Sequence, residues 1–479
     1  MQQQNMQNQR HNVLDTDRIG WLLVKLTTPA FFGMFVQTLY NVVNTIFVGH
    51  YVGPLGIAGL SIVFPLQMLA MGFGMMVGMG GASLISRLLG AGDVAGAERT
   101  VGNGISLGIV LSILVVVVIL PFTDFWLRLI GASDAVLPYA KEYLIIIISG
   151  TVFSIFAIGL LSFARAEGNA RVGMVAMILG AVLSIILCAV FMIPMKMGVT
   201  GAALATIIAM FISTVYLLSY YLTGSSYLKI RVCNLVPDFK ILKAMLSIGI
   251  AAFMQTVAGS LSAMILIKMV VTYGGDYALS AFGIVQRIMM FAIMPGMVIG
   301  QGAQPILGYN YGGGRYSLAL KALTLSVLVS TSLSIVAFLV LYFTPEPLIK
   351  IFSNDPELVA VGAYAAKRIF LSMPLLGFIM LSIQIFQALG RAVQAFIAAV
   401  VRPVVFLIPM VLIMSRYWQL DGVWLSFPAS DLMTFFLVIA LITPIIREFR
   451  RAAAVEKHKG VIPTTSGQTM NISGNTLTE

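Results

Sequence analysis

The residues of this chain that could do chemistry are polar and charged groups set in apolar surroundings. Gln37, Tyr40, Asn41 and Asn44 recur at i, i+3, i+4 and i+7 within "QTLYNVVNTIF", which places them on one face of a helix. A polar stripe on a membrane helix faces the bundle interior or a water-filled cavity, so the four are expected to line a cavity. Interhelical hydrogen bonding, worth about 0.6 kcal/mol per contact, is the plainer use for any one of them. Similar stripes recur elsewhere: Gln67 beside Met71, Met75 and Met79; Gln255 with Ser262; and Gln286, Met290, Met294, Met297, Gln301 and Gln304. The chain holds 28 methionines, and flexible thioethers can remodel around differently shaped apolar ligands or simply fill gaps.

Charges deep in apolar segments are rare. Asp431 and Arg402 both fall near the middle of their segments, and an Arg402–Asp431 pair is expected. It would serve either as a structural ion pair neutralising two costly charges or as a proton-coupling group. Arg287 is the next deepest charge, and Lys268 can snorkel outward. Enzyme chemistry has little to stand on. The three histidines, His11, His50 and His458, are scattered, and there is no HExxH, G-x-S-x-G or P-loop pattern. Cys188 and Cys233 form no CxxC or Cys/His cluster, so neither a disulfide framework nor a metal site is expected.

The elements that position these groups follow from hydropathy. Of the 479 residues, 59% are hydrophobic and 10% charged, against about 25% charged in a soluble domain. Runs such as "ISLGIVLSILVVVVILPF" reach the roughly 20 apolar residues a bilayer span needs. Twelve spans are expected, at 21–49, 57–87, 101–122, 138–164, 172–194, 199–223, 243–272, 278–308, 318–343, 358–389, 393–415 and 422–446. The fold class is therefore an all-α polytopic membrane protein. Lys and Arg at alternate loop ends divide nineteen to eight, which places the first set and both termini in the cytoplasm. The net charge of +11 then reflects basic loops and anionic lipid headgroups rather than nucleic acid. "MQQQNMQNQRHN" does not resemble a signal peptide and is expected to be a retained tail.

The chain repeats itself. Displaced by 222 residues, Gly78, Gly80, Gly90 and Gly92 fall on Gly300, Gly302, Gly312 and Gly314, and Gly168 falls on Gly390. Gln37-Thr38 falls on Gln255-Thr256 with an offset of 218. Repeats six spans apart share one orientation, so two six-helix bundles related by a pseudo-two-fold axis along the membrane normal are expected, with a substrate path between them. The expected divisions are a disordered tail at 1–20, an N-terminal lobe at 21–223, a linker at 224–242, a C-terminal lobe at 243–446 and a basic tail at 447–479.

The segments "LYNVVNTIFVGHYVG" (39–53), "GGASLISRLLGAGD" (80–93), "ARAEGN" (164–169), "GVTGAALAT" (198–206) and "GIVQRIMMFAIMPGMVIGQGAQPILGYNYGGGR" (283–315) resemble the multidrug and toxic compound extrusion (MATE) family, in its MepA-like and DinF-like bacterial branch. The resemblance spans all twelve segments. It implies a V-shaped antiporter of the bacterial plasma membrane that exports cationic or amphipathic drugs by alternating access, in exchange for H⁺ or Na⁺. It implies no other cofactor, small-molecule and lipid partners, no nucleic acid, and a monomer. Family members carry Asp at the position of Asn44. Their fifth helix reads N-x-x-L-D-P where this chain places Ser184 and Cys188, while Asn41 and Thr206 still match. The usual coupling acids are thus missing, and the coupling site is expected to be atypical. A weakly coupled facilitative transporter is one alternative. Another is a lipid-linked oligosaccharide flippase of the same superfamily, which would be expected to show a cluster of cavity Arg and Lys.

Overall fold

The computed structural model describes residues 13–52, 54–224, 226–352 and 355–458. The expectations for residues 1–12 and 459–479 lie outside this range, as does the side chain of Asn41. Among the described residues every regular element is a helix. The first lobe comprises α1 (Ile19–Tyr51), α2 (Pro54–Gly90), α3 (Val94–Ile119), α4 (Leu137–Ser149, bent by 49° into Thr151–Ala166), α5 (Ala170–Met192) and α6 (Gly198–Leu222). The second begins with α7 (Phe239–Gly275) and α8 (Tyr277–Gly312), continuous except where Gly275 takes φ 63°. It goes on to α9 (Tyr316–Phe343) and α10 (Pro356–Ala388). α11 runs from Ala392 through a π-helical turn at Val401–Leu407 to Gln419, whose φ of 49° breaks the helix, and α12 continues to His458.

Among the described residues ten helices are long and apolar enough to span a bilayer, and the bent α4 makes an eleventh. The stretch Ala392–Glu456 has 65 residues, roughly 98 Å of helix at 1.5 Å per residue, against a hydrocarbon core of about 30 Å. Broken at Gln419 it supplies two spans, and the total is twelve. Apolar residues such as Val110, Ile113, Leu114 and Val117 are 48–60% exposed on α3, the outward face a lipid-embedded helix presents.

The repeat is visible in the packing. A Cβ on Gly90 would overlap the carbonyl oxygen of Tyr309, and one on Gly312 would overlap that of Arg87. Each residue of one contact stands 222 positions from its counterpart in the other, so the pseudo-two-fold axis passes between α2 and α8. Gly80 meets Met245 of α7, and its counterpart Gly302 meets Thr27 of α1. Met245 and Thr27 differ by 218, the second of the two offsets. Gly168 and Gly390 match as well, with φ of 89° and 72° in equivalent turns.

The buried core divides in a way that sets the shape. At the end of the bundle where the described residues begin and finish, a single apolar cluster draws on both lobes, including Leu26, Ile85, Phe163, Met245, Leu307 and Phe386. Toward the opposite end there are two clusters. One holds only first-lobe residues, such as Val48, Val63, Tyr143 and Ala203. The other holds only second-lobe residues, such as Leu266, Phe282, Phe370 and Trp424. α2 and α7 each contribute to the shared cluster near the termini and to their own lobe's cluster farther up. Among the described residues the two lobes share a core at one end and keep separate cores at the other.

The connection between lobes is fastened to the first of them. Ser106 donates to the Leu235 carbonyl at 2.6 Å, and the Asp238 N–H donates to Asn103 Oδ1 at 2.7 Å. Glu98 accepts from the Lys229 N–H at 3.2 Å. Asp238 also caps α7 by accepting from the Lys240 N–H at 2.8 Å, which starts that helix at Phe239, earlier than the expected 243.

Candidate functional site

Polar side chains gather inside each lobe and along the contact between them. The first grouping is inside the N-terminal lobe, in its far half. Asn44 Nδ2 donates to Ser184 Oγ at 3.4 Å, while Asn44 Oδ1 is buried with no partner among the described residues. Gln67 donates to the Tyr143 hydroxyl at 3.5 Å. Tyr40 and Ser184 are buried, and Cys188, fully buried, contacts Met192 Sδ at 3.3 Å. Thr206 is buried and turns its hydroxyl back onto the Ala202 carbonyl at 3.0 Å. The stripe on α1 thus delivers Tyr40 and Asn44 to the interior of their own lobe rather than to the gap between lobes. No described side chain of this cluster bears a carboxylate, so its oxygens are neutral ligands and hydrogen-bond partners.

The second grouping is the wall of the gap. α7 meets α2 through the stacked rings of Phe253 and Phe73, 4.6 Å apart, and through Thr256, which donates to Met75 Sδ at 3.9 Å. The same helical face continues outward to Met264 and Ile267, which are exposed. On α8, Met294 and Val298 pack with Ala30 of α1, so Met294 belongs to an apolar contact rather than a lining. Outward along that face stand Phe291 and Arg287, with Met290 exposed nearby. Gln37, Gln255 and Gln286 are half-buried and Met71 is at the edge of exposure. Among the described residues the wall is therefore apolar and thioether-rich, with amides and one cation, Arg287.

Below it, the lobes close against each other through polar groups that lack full partners. The Arg165 guanidinium donates to Gln301 Oε1 across the seam and to Ser162 Oγ at 3.2 Å. Gln301 in turn donates to Met34 Sδ at 3.6 Å. Ser83 of α2 donates to the Gln387 carbonyl of α10. Arg165 meets no carboxylate among the described residues, and Thr27 Oγ1, Gln304 Nε2, Gln384 Oε1 and Gln387 Oε1 are buried without hydrogen bonds. Buried polar atoms left unpaired make a closed contact less favourable than a dry apolar one, and water would satisfy them if the seam parted.

The third grouping is ionic and lies in the C-terminal lobe. Arg402 Nε donates to Asp431 Oδ1 at 2.6 Å, and Ser372 donates to Asp431 Oδ2 at 2.6 Å. Asp431 is 1% exposed and Arg402 18%. Ser372 carries no sequence signal of its own, because serines are frequent throughout these helices. A further buried acid escaped sequence reasoning although it sits in the quoted "ARAEGN" stretch. Glu167, at the turn after α4, accepts from the Tyr220 hydroxyl, from Ser226 Oγ at 2.7 Å and from the Tyr227 N–H at 3.2 Å. Burial pushes its carboxyl up to about 7, against the opposing pull of those donors.

Comparison with known proteins agrees with this architecture. The MatE family model matches residues 29–190 and 251–413, one stretch in each lobe. The multidrug export protein MepA of Staphylococcus haemolyticus (strain JCSC1435) is 27% identical over 422 residues, covering 88% of this chain and 92% of that protein. A crystal structure of a MATE protein in its bent conformation superposes with a TM-score of 0.87 at 24% identity, covering 93% of this chain and 99% of the other. An outward-facing multidrug resistance MATE transporter of the MOP superfamily superposes with a TM-score of 0.86 at 24% identity, covering 92% and 98%.

Proposed function

This chain belongs to the MatE family, and from that premise we propose that it exports amphipathic small molecules across the bacterial plasma membrane by alternating access, driven by inward movement of a cation. The observation that carries the reading is the division of the core, with one apolar cluster shared between lobes near the termini and two separate clusters at the other end. With the termini in the cytoplasm, as the Lys/Arg bias indicates, the open end faces outward and the glycine-packed seam is the inner gate. Export then requires the seam to part while the far ends approach, so that substrate enters the gap from the inner side. The wall of methionines, phenylalanine and amides supports binding of apolar molecules of varied shape.

The neutral N-terminal cluster helps to hold α1, α2, α4 and α5 in register. Asn44, Ser184 and Cys188 bring no charge there, so the coupling ion must be sought elsewhere in the protein. The test is reconstitution into liposomes with an acidic or Na⁺-loaded lumen and measurement of ethidium accumulation by the inverted fraction. Accumulation driven by one of the gradients is expected. Absence of accumulation under both removes the antiport reading.

A further inference from the structure

We propose that the Arg402–Asp431–Ser372 cluster is the proton-coupling site of the exporter, and that it acts by controlling the shape of α11. This rests on the antiport reading above. Asp431 bonds through both oxygens, and each partner stands where a helix departs from α geometry. Ser372 closes the 3₁₀ turn Phe370–Ser372 inside α10, and Arg402 lies in the π-helical turn Val401–Leu407 of α11. Irregular turns inside membrane helices are frequent at functional sites, and the backbone groups they release from the helical ladder need other partners. One such partner is present here: Ser262 of α7 donates to the Pro403 carbonyl at 2.8 Å. The same helix carries Gly249, Phe253 and Thr256 into the inter-lobe contact with α2. A continuous set of contacts thus runs from the carboxylate, through the π turn, to a helix of the inner gate.

Among the described residues, Arg402 is the one charged group that meets this carboxylate. On α10, Arg368 is 3.6 Å from Asp421 and stacks over Tyr364. α7 bears no charge between Lys243 and Lys268, α9 none beyond Lys321, and α12 none between Asp421 and Arg447 except Asp431 itself. The arrangement selects a proton over Na⁺. A bound Na⁺ would need several oxygen ligands, and the guanidinium already occupies Oδ1. In the proposed step a hydronium ion gives its proton to Asp431 and leaves as water, and the ion pair breaks. Arg402, its counter-charge gone, moves toward its exposed side. The π turn relaxes, the Pro403 carbonyl leaves Ser262, and α7 is released from its hold on the closed seam. Re-pairing of Arg402 with Asp431 expels the proton on the other side of the membrane.

The experiment uses the full chain in proteoliposomes and compares exchange of ethidium at equal pH with accumulation driven by a pH gradient. Aspartate-to-asparagine substitution, D431N, cannot take up a proton there and is expected to lose gradient-driven accumulation, with any exchange it retains independent of pH where exchange by the wild type varies with pH. Adding ethidium to the purified wild type in weak buffer should release protons, and D431N should release none. If D431N fails to fold, the doubly neutral D431N/R402Q variant is read instead, and exchange without gradient-driven accumulation supports the site. Driven accumulation in either variant, or no proton release from the wild type, overturns the assignment and leaves the cluster a structural ion pair. If the wild type itself responds to neither an H⁺ nor a Na⁺ gradient, the antiport reading fails instead.

Discussion

The sharpest consequence of the seam concerns Gly80. A Cβ there would lie 2.9 Å from the carbonyl carbon of Met245, and one on Gly249 would lie 2.9 Å from the carbonyl carbon of Met76. Non-bonded carbons prefer about 3.5–4.0 Å, and the obstacle is backbone rather than a side chain that could rotate away. The carbonyl oxygen of Met245 is closer still and overlaps the new carbon, so Gly80→Ala must separate α2 from α7 by about 1 Å. Overpacking of this kind costs about 1–3 kcal/mol. The cost falls only on the conformation in which the seam is closed, so it enters the closed-to-open equilibrium in full. At about 2 kcal/mol the ratio shifts by about 30-fold. The assay is the maleimide labelling rate of a cysteine placed at Ser86, which is fully buried at the seam, in a Cys233→Ser background. Gly80→Ala should raise that rate by about the same factor and slow export. Gly259→Ala, with nothing within 4 Å of its new carbon, is the control and should leave both within experimental scatter. Wild-type labelling and transport in Gly80→Ala would refute the claim that close backbone approach at the seam holds the inner gate.

Other outcomes follow from single sites. Glu167 has a folded pKa of about 7 against 4.5 when unfolded, so the folded chain binds more protons between those values. Its contribution to stability therefore declines as pH rises through that window, by on the order of 3 kcal/mol. Melting temperatures measured from pH 4.5 to 8 should show this slope in the wild type and lose it in E167Q. Asn44→Asp puts a carboxylate beside Ser184 with no cation among the described neighbours, so its melting temperature should fall at pH 8 and recover when Na⁺ or protons neutralise it. Cys233 is exposed and Cys188 buried, so a membrane-impermeant maleimide should modify Cys233 alone, and only in inside-out vesicles. Labelling from the outer face would reverse the orientation.

The twelve spans could be read from sequence because hydropathy over about 20 residues is a local property, and a bilayer demands it segment by segment. The pseudo-two-fold could be read because close helix contact tolerates little but glycine, so the offsets of 222 and 218 survived as Gly80 against Met245 and Gly302 against Thr27. The Arg402–Asp431 contact was legible for a similar reason, since two deep charges on adjacent spans have few ways of being neutralised. The roles of Tyr40, Asn44 and Met294 were not. Periodicity shows that residues share a face but does not say which neighbour that face meets, and Tyr40 and Asn44 turn into their own lobe while Met294 joins an apolar contact with Ala30. Ser372 and Glu167 were hidden because their importance depends on a break in α10 and on a turn meeting the linker, both tertiary facts.

The fastening of the linker has a consequence for how the protein is made. Glu98, Asn103, Ser106 and Glu167, which hold residues 226–238, all precede that segment in the chain. When the ribosome has delivered residue 238, every partner the linker needs is already in the membrane. Chains fold in order of synthesis, so the first six helices can seal their own inner end before the seventh is inserted. The second half then assembles against a finished surface, on which Gly80 and Gly90 already mark where its backbone will rest.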